Sequence, residues 1–167
     1  MNGARKLLVF GGIALATLGM LYGLYYAVFV EHQTLGRMGG SLATAFTEAA
    51  ERRLPEAHTA IDMYGATKFD YVRQVDVHSH WIGLAMLMIA LGVVFDDVAF
   101  GERIRFGIAL VLLIGSVIFP LGVILQTTDG GMLASALAIV GSALIIVALA
   151  AVAVGFARTS ARAFSEP

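Results

Sequence analysis

Cysteine is absent from the 167 residues, which excludes a disulfide, a thiolate metal site, an iron–sulfur cluster and a covalently attached c-type haem. Any metal or haem would have to be held by histidine, methionine or carboxylate. Charge is scarce too: 14% of residues are charged against 59% hydrophobic, far from the balance of a soluble domain. The formal net charge of −1 offers no basic face to neutralise phosphates, so nucleic acid is excluded as a partner. No period of 20–50 residues repeats, which leaves a solenoid or an inverted-repeat transporter without support. Hydrophobic runs spread from end to end of a chain near the usual length of one domain, and residues 1–167 read as a single unit.

What is present is enough apolar sequence to cross a bilayer four times. A helix spanning the ~30 Å hydrocarbon core needs about 20 largely apolar residues. Residues 7–30, 106–125 and 132–156 are uncharged throughout and meet that length. The remaining run, Trp81 to Phe95, would be only ~22 Å long as a helix. It reaches full length as span 76–95 only if its first turn carries Asp76, His78 and His80 into the interface. The expected fold is therefore all-α, an integral membrane four-helix bundle whose lipid partner is the bilayer itself. Arg5 and Lys6 before the first run also resemble the start of a signal peptide. The apolar part is long for that, however, and Tyr25, Tyr26 and Phe29 make a poor cleavage neighbourhood.

Arg5 and Lys6, Arg103 and Arg105, and Arg158 and Arg162 fall on one side if the spans alternate. The positive-inside rule makes that side cytoplasmic, with both termini inside and the chain in the cell's inner (plasma) membrane. The opposing loop between spans one and two holds Arg37, Arg52, Arg53, Lys68 and Arg73 mixed with acids, which weakens the bias without reversing it. Within this short external helical loop Ser41 can cap a helix to about Leu54, and Pro55 can open a second one ending at Gly65. The first would carry Leu42, Phe46, Ala49 and Ala50 on one side and Glu48, Glu51 and Arg52 on the other, which suits the membrane–water interface. Two small helices are thus expected over the bundle mouth.

All four histidines lie between residues 32 and 80, at one end of the bundle in this topology. Glu31 and His32 end span one; Asp76, His78 and His80 begin span two. Antiparallel neighbours would bring the two clusters to equal depth, where Gln126, Thr127, Thr128 and Asp129 also arrive. At about 100° per residue His78 and His80 point about 200° apart, so they cannot chelate one ion without unwinding the turn. Asp76 and His80 stack four residues apart, where a carboxylate can fix the tautomer of a ligating imidazole. His58 and Asp62 share that spacing in the loop and could close over the mouth as further ligands, or simply meet headgroups and water. Trp81, Tyr64 and Tyr71 read as interfacial anchors, and Met86 and Met88 as core filler. Gly19 with Gly23, and Gly12 with Ala16, allow close helix approach. Gly115, Ser116 and Gly122 surround Pro120, where span three should kink.

The stretch Val75-Asp76-Val77-His78-Ser79-His80-Trp81-Ile82-Gly83-Leu84, with the Pro120-Leu121-Gly122 bend, resembles the histidine-bearing segments of small four-helix membrane proteins related to subunit I of haem–copper oxidases. That resemblance implies haem ligation by His78 and His80 from opposite helix faces. The chain lacks a second helix with paired histidines and a Tyr–His copper pocket, so at most one b-type haem or one metal centre is expected. The leading expectation is a haem- or metal-binding membrane protein supporting electron transfer at the outer face. His80 and His32 would be its main ligands, His78 a second, and Asp76 and Glu31 the orienting carboxylates. A divalent copper or zinc ion is the alternative to haem. Two rivals remain: a metal- or proton-handling accessory or transporter subunit, and a structural subunit of a larger respiratory-type membrane complex.

Overall fold

A computed structural model describes residues 2–128 and 131–163, with side chains as far as residue 159. Every regular element in it is helical: α1 (Gly3–Phe29), α2 (Glu31–Ala50), α3 (Leu54–Val94), a single 3-10 turn (Phe95–Asp97), α4 (Glu102–Leu125) and α5 (Met132–Ala163). Four of these are long and apolar enough to cross a membrane, namely α1, α3, α4 and α5, as expected of a multi-pass membrane protein.

The loop between the first two spans differs from the expectation. Only Val30 separates α1 from α2, and main-chain hydrogen bonds run straight through it, Val30 N–H to Tyr26 O at 2.9 Å and Thr34 N–H to Val30 O at 3.1 Å. After a turn at Glu51–Arg53, where Arg52 sits in the left-handed region at φ 60°, α3 begins with Pro55 in its first turn. It then runs 41 residues without a break, roughly 60 Å at 1.5 Å per residue. Gly65 does not end a helix and Ser41 does not start one. Both lie where α2 and the N-terminal half of α3 pack antiparallel, and that packing outweighs weak local stop signals. The two small helices over the mouth are thus replaced by one long hairpin. The second span ends one residue from its expected limit but needs no borrowed turn, because its polar start continues as the hairpin's second arm.

Below the hairpin α1, α3 and α4 pack against one another, with Leu8, Leu15, Val77, Trp81, Met88 and Leu112 fully or nearly buried between them. The expected small-residue contacts are present in α1. A Cβ on Gly12 would lie 2.9 Å from the Ala85 carbonyl oxygen, and one on Gly19 would lie 3.0 Å from Trp81 Cβ. Pro120 does not end α4, which continues to Leu125. α5 packs along α4 and makes at most marginal contact with α1 or α3 among the described residues. The four spans therefore form a three-helix core with α5 on its outside. Glycine makes the α4–α5 seam so tight that a Cβ on Gly141 would collide with the Phe119 main chain, and one on Gly122 with the Ala138 main chain.

The two ends of the molecule differ in charge. At the end carrying the N-terminus, Asp96 accepts from Asn2 at 3.1 Å and pairs with Arg5 at 3.4 Å and Arg105 at 3.7 Å, so α1 and α4 are tied to the turn after α3. Arg105 also pairs with Glu102 at 3.1 Å. The other end carries the hairpin and the histidines.

Candidate functional site

α3 positions the histidine pair, and it sends the two rings to opposite neighbours. His78 faces α1: its Nδ1–H donates to the Gly19 carbonyl at 2.8 Å. The ring sits in the notch left by Gly23, where an added Cβ would lie 2.5 Å from Nδ1. His80 faces α4, its ring meeting Phe119 edge-on with centroids 4.7 Å apart. Its Nδ1–H donates to the Asp76 carbonyl at 2.6 Å. Because a carbonyl oxygen can only accept, Nδ1 must carry a proton in both rings, and in the neutral form of each ring the lone pair is then on Nε2. Asp76 thus fixes the tautomer of His80 through its main chain; the four-residue spacing folds the imidazole back onto its own helix rather than onto the carboxylate.

The other expected site residues are dispersed. The Glu31 carboxylate accepts from Tyr71 O–H at 3.3 Å, so the start of α2 is level with residue 71 of α3, about 13 Å along the helix from His80. His32 is exposed on α2 and does not join His80. His58 and Asp62 are exposed on the hairpin, with His58 about 30 Å along α3 from His78, and they do not close over the mouth. Asp129 lies outside the described residues. No group of three or more His, Asp or Glu side chains is placed to hold a metal ion among the described residues.

Two adjoining grooves do gather polar groups at the hairpin end. One, of about 220 Å³, is lined by Gly23, Tyr26, Glu31, Gln74 and His78 among others. The second, of about 150 Å³, lies on its hairpin side and is lined by Thr34, Arg37, Asp70, Tyr71 and Thr127, and again by Tyr26 and Gln74. Tyr26 and Gln74 are thus the shared wall. Gln74 is fixed by donating from Nε2 to Thr127 Oγ1 at 2.8 Å, which ties α3 to the α4–α5 link. Tyr26 is 6% exposed, and its hydroxyl is buried without a hydrogen-bond partner in bonding geometry. Thr34 Oγ1 donates to Val30 O at 3.1 Å and accepts from Arg37 Nη2 at 3.4 Å. Together the grooves form a polar line from the Arg37–Asp70 rim down to His78. Just beyond it the Tyr22 hydroxyl and the Trp81 indole N–H are buried without hydrogen-bond partners, and further along Ala85 and Met88 are buried in apolar packing.

Tyr26, Arg37, Asp70, Tyr71 and Gln74 were not among the expected site residues. For Tyr71 and Gln74 the signal is the spacing 67-71-74-78 on one face of α3, which appears only once residues 54–94 are taken as a single helix; Tyr26, Arg37 and Asp70 lie outside that series. No family model, curated protein or solved structure matches the chain, so the likeness to haem–copper oxidase segments rests on its own few residues.

Proposed function

We propose that this is an ion-handling membrane protein, an accessory that takes a small cation, a proton or a hydrated divalent ion, from the aqueous side of the hairpin to His78. The observation that carries this reading is the shared groove. Glu31 and His78 line one cavity reached along a polar wall, and His–carboxylate arrays at membrane depth are the usual relays for ions. A carboxylate and a neutral imidazole with its lone pair on Nε2 attract a cation, and the Gln74 and Tyr26 oxygens can join water in its shell. The apolar packing past Tyr22 and Trp81, where Leu15, Ala85 and Met88 are buried, favours binding and exchange at one mouth over conduction across the membrane. By the positive-inside rule, Arg5, Lys6, Arg103, Arg105 and Arg158 put the opposite end in the cytoplasm and this mouth outside.

Haem fits less well. The groove beside His78, at about 220 Å³, is smaller than the roughly 300 Å³ at which cofactor pockets begin. His80 turns to the other side of α3, against Phe119, so the pair offers one haem no two axial ligands. Electron transfer through a b-type haem therefore has less support than ion handling.

Chemical footprinting tests the reading. In sealed vesicles with the hairpin outward, diethyl pyrocarbonate should modify His78, with per-residue mass spectrometry as the readout. Zinc should protect His78 while leaving exposed His32 and His58 reactive. A His78 that stays unmodified, or that zinc protects no better than His58, would rule out a water-accessible cation site there.

A further inference from the structure

We infer that the hairpin of α2 and the first half of α3 is half of a four-helix bundle, completed outside the membrane by a second copy of this chain. This rests on the surface of the hairpin and does not depend on the ion site.

The hairpin stands in water. Because α3 is unbroken from Leu54 to Val94, the 20 residues before Gln74 project about 30 Å beyond the level where α1 and α4 end. A rod continuing a spanning helix cannot lie down in the lipid interface, so the membrane does not cover its apolar groups. Between its arms the hairpin buries only small residues, Thr34 and Ala45 of α2 and Ala57 and Ala60 of α3. Large apolar side chains remain outside: Met63, 60% exposed, lies on one side and Phe69, 48% exposed, about 80° round from Ile61, while the largest set is Leu35 at 46%, Phe46 at 75%, Leu54 at 58%, Ile61 at 51% and Val72 at 44%.

The residues of that set share one face. Leu35 follows buried Thr34, Phe46 follows buried Ala45 and Ile61 follows buried Ala60, so each lies about 100° past its helix's buried line in the same rotational sense. In an antiparallel pair the same sense on both helices puts both stripes on the same side. Leu42 falls within about 20° of Leu35, and Leu54 and Val72 within about 20° of Ile61. On α2 the formal charges are Glu31, Arg37 and Glu48; Arg37 and Glu48 lie on the opposite side, and Glu31 is engaged by Tyr71. His58 borders the apolar stripe of α3, whereas Lys68, seven residues after Ile61, lies within it, its ammonium 5.9 Å from the centre of the Tyr64 ring.

A second copy suits this face better than an unrelated chain. Two copies inserted in one orientation are related by an axis along the membrane normal, which stands their hairpins side by side at equal height. Antiparallel pairing makes Leu42 level with Ile61, so α2 of one copy meets α3 of the other with apolar residue against apolar residue, the layout of a four-helix bundle. A face about 30 Å long and two helices wide buries roughly 600 Å² per copy, about 1,200 Å² in total, which reaches the range of specific interfaces. An exposed apolar strip of that size on a water-borne element marks a protein contact.

The test uses the full chain in mild detergent and in nanodiscs, with protein mass from light scattering. The wild type should have about twice the 17.6 kDa of one chain. Phe46→Glu with Ile61→Glu should weaken the dimer at least tenfold, while Met63→Glu, an equally exposed apolar site on the opposite face, should leave it intact. If the double variant loses helix content, Leu42→Cys replaces it. With no native cysteine to interfere, a short bis-maleimide should then join two chains at position 42 and should fail with Met63→Cys. A monomeric wild type, a double variant that stays dimeric, or equal sensitivity at Met63 would each overturn the proposal.

Discussion

Gly23→Ala should reveal how tightly His78 is seated. The new Cβ would lie 2.5 Å from His78 Nδ1 and 2.6 Å from Cε1, about 1 Å inside ordinary contact. Moving the ring away by that amount stretches its 2.8 Å bond to the Gly19 carbonyl beyond hydrogen-bonding distance. Gly19 O still receives its own helix N–H, so the loss falls on the imidazole donor, costing about 1–3 kcal/mol if it is left unsatisfied. Alanine returns about 1 kcal/mol in helix propensity. The net effect in the wild type is a destabilisation of up to about 2 kcal/mol. In a His78→Ala background the clash and the bond are both gone, and the same substitution should stabilise by about 1 kcal/mol. The sign should therefore reverse between backgrounds, giving a coupling of about 1–3 kcal/mol. Reversible unfolding in mixed micelles, followed by circular dichroism, measures all four corners of the cycle. Equal effects in both backgrounds, within about 0.5 kcal/mol, would refute the notch.

Two further outcomes follow from packing and topology. Gly141→Ala should cost at least about 1–3 kcal/mol, because the methyl meets the Phe119 main chain rather than a flexible side chain; a variant of wild-type thermal stability would mean that α4 and α5 are not so closely packed. A reporter active only outside the cytoplasm should be silent when fused to the C-terminus and active when inserted at the Glu51–Arg53 turn, and the reverse pattern would invert the orientation.

The spans were legible because they depend on long uncharged runs. The ends at Leu125 and Met132 agree with the sequence to the residue, and the end of α3 differs by one. The opposed directions of His78 and His80 were equally legible, being a consequence of helix geometry alone. What could not be read was the pairing of α2 with α3. Ser41 and Gly65 carry local signals for helix ends, and only the antiparallel contact between the two arms overrides them. That pairing sets which residues of the two arms are level with one another. With α3 starting at Asp76, Glu31 and His32 seemed level with His80; with α3 starting at Leu54, Glu31 meets Tyr71 and shares its groove with His78. The part played by Asp76 changed for a smaller reason, since sequence spacing does not tell whether an imidazole bonds to a side chain or to the main chain four residues back.

The ion-handling account is tested most directly by titrating zinc, as a probe cation, into the protein in nanodiscs and following the heat of binding for the wild type and four single variants. One ion per chain should bind. His78→Gln and Glu31→Gln should each weaken it at least tenfold, about 1.4 kcal/mol, whereas His80→Gln and His32→Gln should leave the affinity unchanged. Absence of saturable binding to the wild type, or a loss at His80 or His32 as large as that at His78, would contradict the account.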